Sequence, residues 1–123
     1  MDLSRFKLIE ITDQVSDQIW DEVNEWEYFN KVTIGKQLVR AVDSISANLS
    51  EAYGRFSFPE RKRFSYYARG SLCETINWTN KAIRRGLIDA EKGTIIQKSL
   101  TEVSYKLNYY IRSLKNQIPD SPS

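Results

Sequence analysis

The sequence predicts an all-α protein folded as an antiparallel up-down four-helix bundle, and three observations carry that expectation. Apolar residues recur at three- and four-residue spacing along four successive stretches. The breaks between the later stretches carry helix-capping residues. At 123 residues, 41% of them hydrophobic, the chain can bury one core without a metal or a disulfide. Residues 1–118 are expected to form a single domain, with 119–123 as a short, polar, frayed tail.

Taken in order, Met1 to Ile11 is mixed and reads as irregular, with Phe6, Leu8 and Ile9 docking as an apolar strap. The first helix is expected to begin near Thr12 or Asp13, both good N-caps. Val15, Ile19, Val23 and Trp26 mark its buried side, while Asp13, Asp17, Asp21 and Glu25 recur every four residues as an acidic stripe. That stripe is either a solvated face or a subunit contact for a basic helix, and Trp20, off the core face, favours a contact.

Glu27 to Val32 reads as a connection, after which Thr33 caps a second helix ending near Gly54, where glycine suits a left-handed cap. Leu38, Val42, Ile45, Leu49, Ala52 and Phe56 fall on its apolar face. Beside that face Arg40, Ser44, Asn48, Glu51 and Arg55 form a polar ladder with spacings of four, four, three and four. Such a ladder serves one of two ends. Either it satisfies neighbouring helices and exposed backbone, with Arg40 and Glu51 reaching partners on other helices, or it is a contact strip for a ligand or subunit.

Ser57-Phe58-Pro59-Glu60 is a capping box with proline in the first turn, so a third helix starts there. Its apolar face is Phe64, Ala68, Leu72, Thr75, Thr79, Ala82 and Ile83, widened by Tyr67 and Trp78. The small pair Gly70-Ser71 suggests close approach of another helix. Lys62, Tyr66, Arg69, Asn77, Asn80 and Arg84 lie opposite, with Arg63, Lys81 and Arg85 at one margin. Gly86 closes this helix and Asp89 caps a fourth, from about Ala90 to Gln117. Ile96, Leu100, Val103, Leu107, Ile111, Leu114 and Ile118 keep helical spacing there, and Tyr105, Tyr109 and Tyr110 extend its sides.

The chain has no histidine and one cysteine, Cys73. The commonest general base and metal ligand is therefore missing, an intramolecular disulfide is impossible, and no Walker-type phosphate loop is present. Catalysis is not expected, nor is a cofactor or a metal. Asp17 and Asp21 could hold magnesium, although an evenly spaced acidic surface is the simpler reading, and Cys73 lacks a base. Without a leader or a long apolar run, the protein is expected to be soluble and cytoplasmic.

Net charge is only +2, but Met1 to Gly35 carries three basic against eight acidic residues, and Gly54 to Gly86 eight basic against two acidic. The basic helix supplies candidates for nucleic-acid contact: Arg55, Lys62, Arg63, Arg69, Lys81, Arg84 and Arg85 for phosphates, and Tyr66 for stacking on an unpaired base. Asn77 and Asn80 could donate to base or sugar. Three Trp and seven Tyr exceed what one small core can hold, which points to an interface.

Gln37-Leu38, Arg40-Ala41, Ser44-Ile45, Asn48, Glu51 and Gly54-Arg55, followed by Ala68-Arg69-Gly70-Ser71 and Glu74, resemble the signature of the 23S ribosomal RNA intervening-sequence protein family. That family is related to the accessory variability proteins of diversity-generating retroelements. Asp43 and Ala52 depart from its pattern. The resemblance implies a four-helix bundle, a homopentamer with a basic surface, RNA or DNA as partner, and a role beside a reverse transcriptase or a ribosomal RNA insertion. The alternative function is a homo-oligomeric scaffold that binds no nucleic acid.

Overall fold

The computed structural model describes residues 3–115. Four long helices account for most of them: α1 (Leu3–Asn24), α2 (Lys36–Gly54), α3 (Phe58–Arg84) and α4 (Ala90–Lys115). The α2–α3 contact is the most extensive; α1 packs against α2 and α4, and α4 against α3. Contacts thus run around the four sides of an up-down bundle, with α1 diagonal to α3.

Each helix follows from its apolar period. Leu8, Ile11, Val15, Ile19 and Val23 are buried along α1, and Trp26 continues that side just beyond its end. Leu38, Val42, Ile45 and Leu49 of α2 are completely buried, and Ile96, Leu100, Val103, Leu107, Ile111 and Leu114 fill the core from α4. Burial of each large side chain contributes about 1.5–3 kcal/mol. Ile118 and the tail 119–123 lie outside the described residues.

The expected caps of the later helices are present. Ser57 Oγ accepts from the Glu60 N–H at 3.3 Å, with proline in the first turn of α3. Asp89 Oδ1 accepts from the Lys92 N–H at 2.9 Å. Gly86 turns the chain with φ of +78°, a conformation L side chains rarely adopt.

The earlier boundaries differ from expectation. Residues 3–11 are helical rather than an irregular strap: Leu8 is buried, Ile9 half-buried and Phe6 exposed, as successive turns require. Thr12 is no cap, because its buried hydroxyl donates to the Leu8 carbonyl one turn back at 2.8 Å. Thr33 does the same to Phe29 at 2.7 Å, since the chain is already helical there: an α-turn (Tyr28–Asn30) leads into a π-helical turn (Lys31–Gly35), which passes without a break into α2. Gly54 ends α2, but by Arg55 turning extended (φ −89°, ψ 142°), without a left-handed residue. Phe56 then falls in the connection and is exposed rather than part of the apolar face.

On α3, Ala68, Leu72, Thr75, Thr79 and Ala82 are buried as expected, joined by Ser65, whose hydroxyl donates to the Arg61 carbonyl at 2.7 Å. The neighbouring tyrosines exchange places. Tyr66, assigned to the outer face, packs against the core, and Tyr67, assigned to the core side, is 52% exposed. On α4, Tyr105 and Tyr109 are exposed. Tyr110 is buried edge-to-face on Tyr53 with centroids 5.2 Å apart, and the Arg5 guanidinium lies 5.3 and 5.8 Å from the two rings.

Close packing is permitted by Gly35 and Gly93, not by Gly70. A Cβ at Gly35 would stand 2.7 Å from Val23 Cγ1 and 3.1 Å from the Asn30 carbonyl oxygen, whereas one at Gly70 would meet nothing within 4 Å. Gly35→Ala is therefore expected to destabilise by about 1–3 kcal/mol through overpacking. Gly70→Ala should stabilise by about 0.5–1 kcal/mol through helix propensity. Urea denaturation midpoints check both signs, and equal effects would contradict this packing.

Candidate nucleic-acid interface

The polar ladder on α2 divides into two halves. Ser44 Oγ donates to the Ala41 carbonyl at 2.9 Å and Asn48 Nδ2 to the Ser44 carbonyl at 2.8 Å, so both return to their own helix. Arg40 is exposed. At the far end, Arg55 pairs with Glu51 at 2.8 Å and reaches Glu60 of α3 at 3.5 Å. Glu51 therefore finds its partner on its own helix, not on a neighbouring one. Asp43, the departure from the signature, accepts a hydrogen bond from Ser16 Oγ of α1 and so ties α2 to that helix.

Arg55 also begins the contact between the end of α2 and the first turns of α3. Its guanidinium lies 4.9 Å from the Phe64 ring centroid, Arg63 lies 5.2 Å from the same ring, and Phe64 meets Tyr67 edge-to-face at 5.6 Å. Glu60 stands 3.8 Å from Arg63. Arg61, which the sequence reading passed over, donates from Nη1 to the Phe56 and Arg55 carbonyls and so holds the α2–α3 connection. Its position seven residues after the end of α2 and one after the capping box was the available signal.

On the other flank of α3, Tyr66 holds two cations. Lys62 Nζ is 5.8 Å and the Arg69 guanidinium 4.8 Å from its ring centroid, distances at which the ring quadrupole attracts positive charge. Arg69 Nη1 also donates to Asn108 Oδ1 of α4 at 3.2 Å. Among the described residues, Lys62 and Arg69 make no ion pair.

The candidate residues thus form two groups rather than one continuous face. Arg55, Lys62, Arg63, Tyr66 and Arg69 gather at the end of the bundle that holds the α2–α3 connection. Lys81 and Arg84 lie near the other end of α3, about 27 and about 32 Å along it from Arg63 at the helical rise of about 1.5 Å per residue, and Arg85 follows at its C-cap. Lys81 Nζ sits 5.0 Å over Trp78, whose indole N–H donates to Glu74 at 3.4 Å. Arg84 and Arg85 are exposed. Between the groups, Asn77 and Asn80 are exposed, and Asn80 Oδ1 accepts from Gln97 at 3.0 Å. Cys73 is an exposed thiol. Among the described residues, no three acidic or cysteine side chains converge as metal ligands, and no helix is long and apolar enough to cross a membrane.

Comparison with known proteins adds two findings. The family model described as 23S rRNA-intervening sequence protein matches residues 5–109. The fold is similar to that of a crystal structure from Bacteroides thetaiotaomicron VPI-5482, described as a protein with unknown function from the S23 ribosomal protein family. That likeness has a TM-score of 0.82 at 23% identity over 89% of this chain and 98% of that one. No curated protein matches the sequence.

Because the Glu51–Arg55 pair is half-exposed, its direct contribution to stability is small. Glu51→Ala should change stability by less than about 1 kcal/mol. A loss of about 3 kcal/mol or more, the range for breaking a buried pair, would contradict the exposed geometry. Thermal and urea unfolding measure the difference.

Proposed function

The chain belongs to the 23S rRNA-intervening sequence protein family, and on that premise we propose that it is a non-catalytic, self-associating bundle that binds RNA or DNA through the basic first half of α3. The observation that carries this reading is the placement of Lys62 and Arg69 on one tyrosine ring, outside any ion pair among the described residues, with Arg55 and Arg63 on the other flank of the same end of α3. Glu51 and Glu60 offset charge only at Arg55 and Arg63. Cations held by a ring and by Asn108 lose less freedom on meeting a phosphate than mobile surface lysines do.

Stacking belongs to Tyr67 rather than to Tyr66. Tyr66 is packed against the core and flanked by cations, while Tyr67 presents an exposed ring supported edge-on by Phe64. An unpaired base could lie on that ring, and a base paired within a duplex could not. The family's name links it to insertions in ribosomal RNA, which supports RNA as the first ligand to test. Service as an accessory to a reverse transcriptase belongs to the same proposal. The competing reading is a scaffold without nucleic-acid affinity, favoured by the many exposed aromatic residues.

Titration of single-stranded and duplex RNA and DNA across a range of salt tests the proposal. Affinity should fall with salt, and Lys62→Gln should reduce the log-log slope by about 0.7–0.9, the value for one phosphate contact. Arg84→Gln, at the distant group, should leave the slope unchanged. Tyr67→Ala should weaken single strands more than duplexes. Absence of binding to every nucleic acid at low salt would leave the scaffold reading in its place.

A further inference from the structure

The acidic stripe anticipated on α1 is intact: Asp13, Asp17, Asp21 and Glu25 are all exposed. Trp20, 56% exposed, borders it. α3 stands diagonally across the bundle, and its final turns carry Lys81, Arg84 and Arg85. Opposite charges therefore lie on opposite sides of one molecule.

Their heights along the bundle also agree. Glu22 of α1 is 3.6 Å from Lys92 of α4, and at the next residue, Gly93, a Cβ would lie 2.7 Å from Ile83 of α3. Residues 22 and 83 consequently stand within about one helical turn of each other. Alternate helices of an up-down bundle run in the same direction, so Asp21 and Glu25 are level with Lys81, Arg84 and Arg85. A second copy moved sideways, without inversion, brings the two sets together.

We propose that Asp17, Asp21 and Glu25 of one chain receive Lys81, Arg84 and Arg85 of a second copy of this chain standing beside it in the same orientation. This rests on the self-association proposed above and specifies the faces that meet. Exposed ion pairs are individually weak, and Trp20, Tyr28, Phe29 and Val32, all exposed at the same end, supply apolar area for the contact. Because unlike faces meet, each chain keeps one face of each kind available, and addition continues until a ring closes or a filament grows. The Lys62–Tyr66–Arg69 group lies toward the opposite end of α3, so subunit contact and nucleic-acid binding do not compete for the same cations.

Charge reversal with restoration tests the contact. Wild type, Asp17→Lys/Asp21→Lys, Lys81→Glu/Arg84→Glu and the combined four-site variant are compared by light scattering, with circular dichroism to verify folding. Each two-site variant should raise the concentration of half-dissociation at least about tenfold through like-charge repulsion. The combined variant should regain assembly. As a second measurement, Asp21→Cys/Arg84→Cys on a Cys73→Ser background should give disulfide-linked multiples of the chain on mild oxidation. If wild type remains a single chain at all concentrations, the self-association reading and this contact fall together. If wild type assembles but neither reversal alters its mass, or the folded four-site variant stays dissociated, this contact is overturned and self-association stands. Cysteine variants that remain unlinked within an intact assembly likewise overturn it.

Discussion

Complete burial of one face of α2 is the constraint on which the other elements depend. Leu38, Val42, Ile45 and Leu49 have no exposed surface, so α2 cannot rotate without bringing several large apolar side chains into water. With α2 fixed, its ladder is held on a flank of the same helix, and Arg55 at its end reaches α3. Thr75, Thr79, Ala68 and Ala82 give α3 a buried face of small residues, which matches the extensive contact between these two helices. Close packing is achieved by short side chains on α3, while Gly70 faces outward.

That orientation governs where charge appears. α3 buries Leu72 and its small residues, so the cations on its remaining circumference must lie outward or along its seams. Burying an unpaired ammonium or guanidinium would cost far more than any single contact could return. Tyr66 and Phe64 provide intermediate positions: Tyr66 packs against the core, Phe64 is half-buried, and each presents a ring to cations at the surface. The aromatic residues of α3 thus join the apolar core to the charged exterior. Their number in the sequence is explained partly by this placement and partly by rings that remain exposed.

The sequence was legible wherever a period of three or four ran long or a cap was chemically distinctive. The α2 face, the α4 series from Ile96 to Leu114, the Ser57 capping box and the Gly86-Asp89 turn all follow from local rules. Thr12 and Thr33 misled because threonine has two uses: it caps a helix from outside, and inside one its hydroxyl returns to a carbonyl one turn back. Leu8 and Ile11, two turns and one turn before Val15, were the competing signal at α1. The π-turn before α2 had no comparable marker, because its inserted register depends on Gly35 fitting between Val23 and the Asn30 carbonyl.

The candidate surfaces were legible in composition and less so in position. Counting charges along the chain locates basic residues on the third helix, but a helix of 27 residues extends about 40 Å at about 1.5 Å per residue, several Debye lengths at physiological salt. Cations at its two ends therefore act on separate regions of solvent. One residue of register also separates Tyr66 from Tyr67, and the helical period alone leaves both at the margin of the buried face. Lys62 and Arg69, four residues before and three after Tyr66, resolve the ambiguity. Both cations contact its ring, and Arg69 also meets Asn108 of α4. Tyr67, beside Phe64 on the other flank, is left with its ring exposed to solvent.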